Sequence, residues 1–230
     1  MLFYRSKSYD DISPSLETNK LISLAKKLLP DVVFNMASLE GNAFTYPEVQ
    51  TLLDGITIGG HKLSDEQQVL RIRDGWNFLF NKIRSKETKL NINLFNDING
   101  IIAKDEALIS GSFRNEGVRI GGTDFIPPKA DELEEIFNKE LDLIIHRCKS
   151  STELAFEMFL WGALNQFYYD GNKRTSRLIA NLILISNGQG IFNVKAKDRL
   201  EFNTLMVEFY DTREADNVMK FFYNKCLERY

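Results

Sequence analysis

The chain has 230 residues, of which 43% are hydrophobic and 27% are charged. Its 29 basic and 32 acidic residues give a net charge of −3, which argues against nucleic acid or an anionic membrane as partner, since proteins that bind either normally carry a basic excess. A chain of this length folds as one domain or two, and we favour one compact body with an appended element.

Cysteine, histidine and hydropathy patterns exclude further classes. Cys148 and Cys226 are far apart and have no metal-ligand neighbours, which favours buried thiols in a reducing compartment. His61 and His146 lie in no cluster that predicts a metal site. The longest apolar run, 178–185, is shorter than the roughly 20 residues that span a membrane, and the first residues lack the apolar stretch of a secretion signal. We therefore expect a soluble, cytoplasmic protein.

Helical patterns dominate the chain. Ser15 is a plausible N-cap for a first helix that stops at Pro30, and Gly41 and Gly55 are typical of helix C-termini. The stretches 151–168 and 173–187 are apolar nearly all round, which is typical of helices in the middle of a protein. Aromatic residues at helical spacing across 202–223 predict core packing or a subunit interface in a homo-oligomer. Helices are predicted at 15–29, 32–39, 47–55, 64–84, 91–103, 129–148, 151–168 and 173–187, with two more across 197–230.

One segment breaks the helical pattern. Residues 111–128 contain four glycines, the β-branched Val118 and Ile120, a Gly-Gly-Thr-Asp turn and a Pro-Pro stop. This combination predicts a β-hairpin. The fold class expected from the whole chain is therefore mainly α with one small β-hairpin.

The link between the two buried helices carries the chemistry. Residues 169–177 read YDGNKRTSR, in which a glycine-containing loop leads directly into a helix. Unpaired N–H groups at a helix start bind anions. Lys173, Arg174 and Arg177 add three cations around this first turn, where positive charge is unfavourable without a partner, and all three are candidates for binding a nucleotide. The carboxylate of Asp170 suits Mg²⁺, which binds through one or two carboxylates together with phosphates. The segment predicts a site for a magnesium–nucleotide polyphosphate. The alternative is a capped helix whose cations pair with local acids.

Several segments, in the same order along the chain, resemble the Fic (Fido) family. NQFYYDGNKRTSR resembles the family signature HxFx[DE]GN[GK]RxxR, and LEGN at 39–42 resembles the inhibitory motif [ST]xxxE[GN]. VRIGGTDFIPP resembles the family's flap, and IANLILISNGQGIF resembles the segment after the signature. The resemblance implies a Fic-fold helical bundle over 31–230. In it the inhibitory helix spans about 31–42, the flap hairpin about 111–128 and the signature loop 166–177, preceded by an N-terminal helical extension over 1–30.

The resemblance also implies an activity and a site. Fic proteins typically transfer AMP from ATP to a hydroxyl group of a target protein. Asp170 is expected to hold Mg²⁺ that bridges the phosphates, while Gly171 and Asn172 shape an anion hole. Arg174 is expected on the phosphates. Arg177 is expected to meet the γ-phosphate, or Glu40 when the site is inhibited, because its planar fork matches either a phosphate or a carboxylate.

Two positions depart from the family pattern. Gln166 stands where the family has the histidine that acts as general base, and a glutamine amide has no usable basicity near pH 7. General-base catalysis contributes roughly 10²–10⁴ in rate, so AMP transfer is expected to be weak or absent. Met36 stands where the inhibitory motif has Ser or Thr. The alternative for Glu40 is an exposed acid at a helix end.

Other functions remain open from the sequence. Lys173 resembles the Doc branch, which transfers phosphate and has lysine at this place. The flap residues Val118, Ile120, Gly121 and Gly122 are expected to dock a segment of the target protein by edge-strand pairing, the alternative being plain packing of the apolar ones. The scaffold can also serve as an interaction or regulatory module that needs no nucleotide.

Overall fold

A computed structural model describes all 230 residues, and it confirms a mainly α-helical fold. Ten α-helices account for most of the chain, with short 3₁₀ turns before α6 and α9 and a π-helical turn at Phe222–Cys226 after α10. The helices are α1 Thr18–Lys27, α2 Leu29–Leu39, α3 Tyr46–Leu53, α4 Leu63–Arg84, α5 Ile92–Ile102, α6 Leu133–Arg147, α7 Ser151–Asn165, α8 Asn172–Ser186, α9 Arg199–Thr212 and α10 Asp216–Phe221.

The helices begin and end close to the predicted positions, with one clear difference at the start. Ser15 does not cap α1, which begins at Thr18 after Glu17. Pro30 does not stop a helix but lies in the first turn of α2, where its missing N–H costs no hydrogen bond. Elsewhere local chemistry fixes the starts, as when the Asn91 side chain accepts from Leu94 N and the Ser150 side chain from Glu153 N.

The helices α7 and α8 form the centre of the molecule. Thirteen of the fifteen residues in each are buried, as their all-round apolar sequences predict. Gly162 lets them approach closely, because a Cβ there would lie 2.1 Å from Ser176 Oγ. Helices α1, α4, α5 and α6 pack around this pair. The loop that joins α7 to α8 is therefore supported on a rigid core.

The predicted hairpin at 111–128 is wrong in its strands. A turn forms at Gly121–Gly122, but the segment has no paired strands. Its one backbone–backbone hydrogen bond to another segment runs from Arg114 N to Phe167 O. Side-chain contacts, rather than a strand ladder, hold this segment, and we call residues 114–128 the flap. The sheet lies elsewhere: β1, Ile191–Phe192, pairs antiparallel with β2, Leu227–Glu228.

Residues 1–30 pack on the same core as the rest of the chain. Leu21, Ile22 and Ala25 of α1 are buried. Before α1, the Asp11 carboxylate accepts hydrogen bonds from the first backbone N–H groups of α7, and Arg5 forms ion pairs with the buried Glu153 and Glu157.

The structure also shows the state of the cysteines, the grouping of metal-ligating side chains and the length of the apolar helices. Both cysteines are free, and burial raises the pKa of each thiol. No group of three or more metal-ligating side chains comes together. No helix is both long enough and apolar enough to cross a bilayer.

Candidate functional site

The residues singled out in the sequence surround one cleft of about 550 Å³. Four segments form it: the end of α2, the flap, the α7–α8 loop and one face of α9. Arg177 is buried, and neither Arg177 nor Val118 lines the cleft. The predicted residues that line it are Glu40, Ile120, Gly121, Gly122, Gln166, Asp170, Gly171, Asn172, Lys173 and Arg174.

The α7–α8 loop is held by its own side chains. Gln166 ends α7 in the left-handed conformation, at a φ of 48°. Asn172 fastens the loop, since its side chain accepts from Tyr168 N at 2.9 Å and donates to Tyr168 O at 2.7 Å. Gly171 has a φ of +74°, and a Cβ there would lie 3.1 Å from Ala103 Cβ. No side chain caps the first turn of α8, so the helix start suits an anion, as its sequence predicts.

The Gln166 side chain is engaged on both of its polar atoms. Its Nε2 donates to Ala163 O at 2.6 Å, and its Oε1 accepts from Asn172 Nδ2 at 3.1 Å. Neither histidine reaches the cleft: His61 stacks on Phe44, and His146 Nδ1 contacts a backbone carbonyl of its own helix, α6. No imidazole therefore lies in the cleft.

Asp170 and Lys173 present charge to the cleft. The Asp170 side chain is 52% exposed, and its Oδ1 accepts from Gly171 N at 2.5 Å. Its Oδ2 has no hydrogen-bond partner in the protein. A single accessible carboxylate fits Mg²⁺ that takes its other ligands from phosphates and water. Lys173 is half-buried and forms no ion pair with an acidic residue.

Arg174 pairs with an acid that sequence reasoning missed. Its Nη1 and Nη2 lie 2.8 and 2.9 Å from the two carboxylate oxygens of Glu106, which lies in the loop after α5. Burial opposes the charge of Arg174, but Glu106, together with nearby carboxylates, raises its pKa. For Arg174, the structure therefore agrees with the alternative interpretation of the segment, in which its cations pair with nearby acids.

Arg177 has no partner. It is fully buried between the rings of Phe159 and Phe202, at 5.6 and 5.7 Å from their centroids. None of its three side-chain nitrogens makes a hydrogen bond, and the buried Oε1 of Glu40 is also unpaired. Burial lowers the pKa of Arg177 to about 10, and the charge of Glu40 opposes this fall. Unpaired buried groups of opposite charge are rare and point to a ligand-binding function.

Arg114 joins the flap to the α7–α8 loop, and sequence reasoning also missed it. It is 2% exposed, and it donates to the carbonyls of Gln166 at 2.6 Å, Glu116 at 2.7 Å and Pro128 at 2.6 Å. Its own N–H donates to Phe167 O at 2.9 Å. One side chain thus ties both ends of the flap to the loop.

The far end of the flap rests on α9. Phe125 stacks on Tyr210 with ring centroids 6.2 Å apart, and the Thr123 hydroxyl donates to Asp211. Between these two supports, residues 116–124 make no backbone–backbone hydrogen bonds. A stretch of main chain without backbone partners therefore lies beside the cleft, with residues 119–122 in its lining.

Comparisons match this chain to a family model, a curated relative and solved structures. The model of the Fic/DOC family matches residues 89–184. The protein adenylyltransferase Fic of Nematostella vectensis is 21% identical over an alignment 208 residues long, which covers 86% of this chain and 46% of that protein. The chain therefore spans about half the length of this curated relative.

Solved structures show the same fold. A Fic domain containing signaling protein from Bacteroides thetaiotaomicron has a TM-score of 0.72 at 21% identity, over 84% of this chain and 75% of that one. A Fic family protein from Desulfovibrio desulfuricans has a TM-score of 0.67 at 15% identity, over 95% of this chain and 73% of that one. The family match, the curated relative and the shared fold together support a protein of the Fic/DOC family.

Proposed function

We propose that the cleft binds ATP with Mg²⁺, and that the protein is related to protein adenylyltransferases but transfers AMP weakly or not at all. The observation that carries this proposal is the fully buried guanidinium of Arg177, which makes no hydrogen bond and is acted on by the charge of Glu40, a residue that lines the cleft together with Asp170. A buried cation without a hydrogen-bonded counter-charge is costly, and an anionic ligand would supply one.

The loop residues have separate tasks toward such a ligand. Gly171 and Asn172 hold the start of α8 open to phosphate oxygens, while Arg174 and Arg177 supply positive charge. Asp170 would hold Mg²⁺, which neutralises charge on the phosphates when it is bound. Glu40 and the γ-phosphate would compete for Arg177, because a guanidinium pairs with either group in the same geometry.

Gln166 is the reason to expect little transfer. A general base must take the proton of the attacking hydroxyl, and the Gln166 amide is uncharged and already bonded to Ala163 and Asn172. It can accept a hydrogen bond from a hydroxyl group but cannot remove its proton. The expected loss is roughly 10²–10⁴ in rate.

The partner we propose is a protein segment that adds to the flap as an extended strand. Residues 117–124 offer main-chain donors and acceptors without backbone partners beside the cleft, which is what strand addition needs. Val118 and Ile120, which both precede the Gly121–Gly122 turn, would supply side-chain contacts. The curated relative from Nematostella vectensis is named a protein adenylyltransferase, which agrees with a target that is a protein.

Calorimetry with ATP and Mg²⁺, run beside labelling with α-labelled ATP, tests the proposal. We expect saturable ATP binding, tighter binding by Glu40→Gly, and protein labelling that appears only with Gln166→His. Asp54→Gly is the matched control, because Asp54 also follows a helix and precedes a glycine but lies outside the cleft. Absence of ATP binding in both the wild type and Glu40→Gly would refute the nucleotide site.

A second candidate is phosphate transfer of the Doc type. The observation that favours it is that Lys173 lines the cleft without an acidic partner, so its charge is available to reorient a triphosphate. Labelling with γ-labelled ATP would then leave label on the target, whereas α-labelled ATP would not. If Arg174→Ala and Arg177→Ala leave the binding of a target protein unchanged, the scaffold works as an interaction module without nucleotide.

A further inference from the structure

A chain of hydrogen bonds connects the segment that carries Glu40 to Arg174. Asn42, two residues beyond Glu40, donates from Nδ2 to Gln68 Oε1 at 3.1 Å. Gln68 Nε2 donates to Glu106 Oε2 at 3.0 Å, and Glu106 holds both terminal nitrogens of Arg174. Three elements thus meet at one carboxylate: the loop after α2, helix α4 and the loop after α5.

The donors of Arg174 are almost fully used in this arrangement. Nη1 is shared between Glu106 Oε1 and the carbonyl of Ile102, and Nη2 between Glu106 Oε2 and, at 3.4 Å, Asp170 Oδ1. Only the buried Nε has no partner. A phosphate can engage the fork of Arg174 only if Glu106 gives it up. While the pair persists, its net charge is zero and it attracts a polyphosphate little.

We propose that Glu106 is a second carboxylate that competes with nucleotide phosphates, acting on Arg174, and that Gln68 is a positioning residue that holds Glu106 there. This inference rests on the proposed ATP site and adds to it a residue pair outside the signature. The Glu106 side chain is 23% exposed, so water can receive it when it leaves Arg174.

The link through Gln68 and Asn42 couples the two arginines of the site. Asn42 also donates to Asp65 O at 2.9 Å, which fixes it to the start of α4. A displacement of the Glu40 segment would pull on the amide of Gln68 and loosen Glu106. Glu40 would then withdraw its charge from Arg177 as Glu106 leaves Arg174, so substitutions at the two acids are expected to be non-additive.

Calorimetry on the full chain with ATP and Mg²⁺, and with adenosine as the ligand that lacks phosphates, tests the inference. Glu106→Gln keeps the shape of the side chain and removes its charge. It should tighten ATP binding by about tenfold, the effect of one charge-assisted pair, and leave adenosine binding unchanged. Gln68→Met should act in the same direction by a smaller factor and add nothing when combined with Glu106→Gln.

Asp105→Asn is the matched control, because Asp105 is the neighbouring carboxylate but pairs with Arg71 on the surface. It should leave ATP affinity as in the wild type. In an Arg174→Ala background, Glu106→Gln should lose its effect. Thermal melting of each variant verifies that it is folded.

The outcomes separate this inference from the proposed function. If wild type and Glu40→Gly bind ATP but Glu106→Gln weakens binding or leaves it unchanged, Glu106 is no competitor and only this inference fails. If no variant binds ATP, Glu106→Gln included, both fail.

Discussion

Replacing Arg177 with methionine should stabilise the protein while it abolishes ATP binding. The guanidinium is fully buried and has no hydrogen-bond partner, and burial lowers its pKa to about 10. This lowering of the pKa corresponds to a free-energy cost of about 3 kcal/mol for keeping Arg177 charged in the folded state, since one pKa unit is about 1.4 kcal/mol. The cost is present in full at neutral pH and decreases above about pH 10, where the folded state releases the proton before the unfolded chain does.

Methionine keeps the apolar contact with Phe159 and Phe202 and removes the charge. It forfeits the attraction between the cation and the two rings, about 1 kcal/mol. The net gain in the free energy of unfolding is therefore about 2 kcal/mol, which raises Tm by roughly 4–8 °C for a chain of this size. Denaturant unfolding and differential scanning calorimetry at pH 7 measure the gain, and ATP titration measures the loss of binding.

Arg114→Met is the matched control, because Arg114 is an equally buried arginine whose donors all have partners. Removing it leaves three carbonyls without a donor and should cost about 3 kcal/mol or more. The two arginines are thus expected to change stability in opposite directions. A loss of stability in Arg177→Met comparable with that in Arg114→Met would refute the argument that Arg177 is held at a cost for a ligand.

Three further predictions concern the supports of the site. Gly162→Ala should destabilise the protein by about 3 kcal/mol or more, because its Cβ would meet the Ser176 hydroxyl at 2.1 Å; Ser176→Ala should restore part of the loss in thermal melts, and a melt unchanged by Gly162→Ala would contradict the close packing. Gly171→Ala should cost about 1–2 kcal/mol through its positive φ and weaken ATP binding; an unchanged Tm would exclude strain there. Hydrogen bonds from Thr45 lower the pKa of Glu48 to about 2, so its contribution to stability is present above about pH 4.5 and is lost as the pH falls toward 2; NMR titration should show a higher pKa in Thr45→Ala, and an equal value would refute this cause.

The sequence predicted the centre of the fold and most of the cleft. The all-round apolar helices α7 and α8 pack at the middle, and the DGNKR run between them lies at the cleft, because local composition and helix-start chemistry determine both features. The Glu40 segment and the flap reach the same cleft. We predicted the positions of these two segments from their resemblance to the Fic family, in which similar segments occur in the same order, and not from a local sequence pattern.

No sequence pattern identified two of the residues that organise the site. Glu106 is one acid in a surface loop, and Arg114 is one arginine beside several turn residues, so neither has spacing or composition that singles it out. Their partners are far away in the chain, at Arg174 and at the carbonyls of Gln166 and Pro128. Contacts of this kind depend on tertiary packing.

The flap shows why local propensity was insufficient. Val118, Ile120 and the Gly121–Gly122 turn favour a hairpin, and the turn does form. The strands do not pair, because Arg114 holds the two ends through their carbonyls and Phe125 anchors the far side on α9. Side chains from outside the segment therefore replace the ladder that the pattern predicts.

The contacts of Arg114 have a consequence for substitutions in the site. The Arg114 side chain donates hydrogen bonds to main-chain carbonyls only. These hydrogen bonds, which join the flap to the α7–α8 loop, therefore do not depend on which side chains occur at position 166 or at positions 118–122. A substitution at position 166, or in the sequence that meets a partner, therefore leaves these contacts of Arg114 in place. Side-chain chemistry at both places can vary while the main chains of the flap and the loop stay joined.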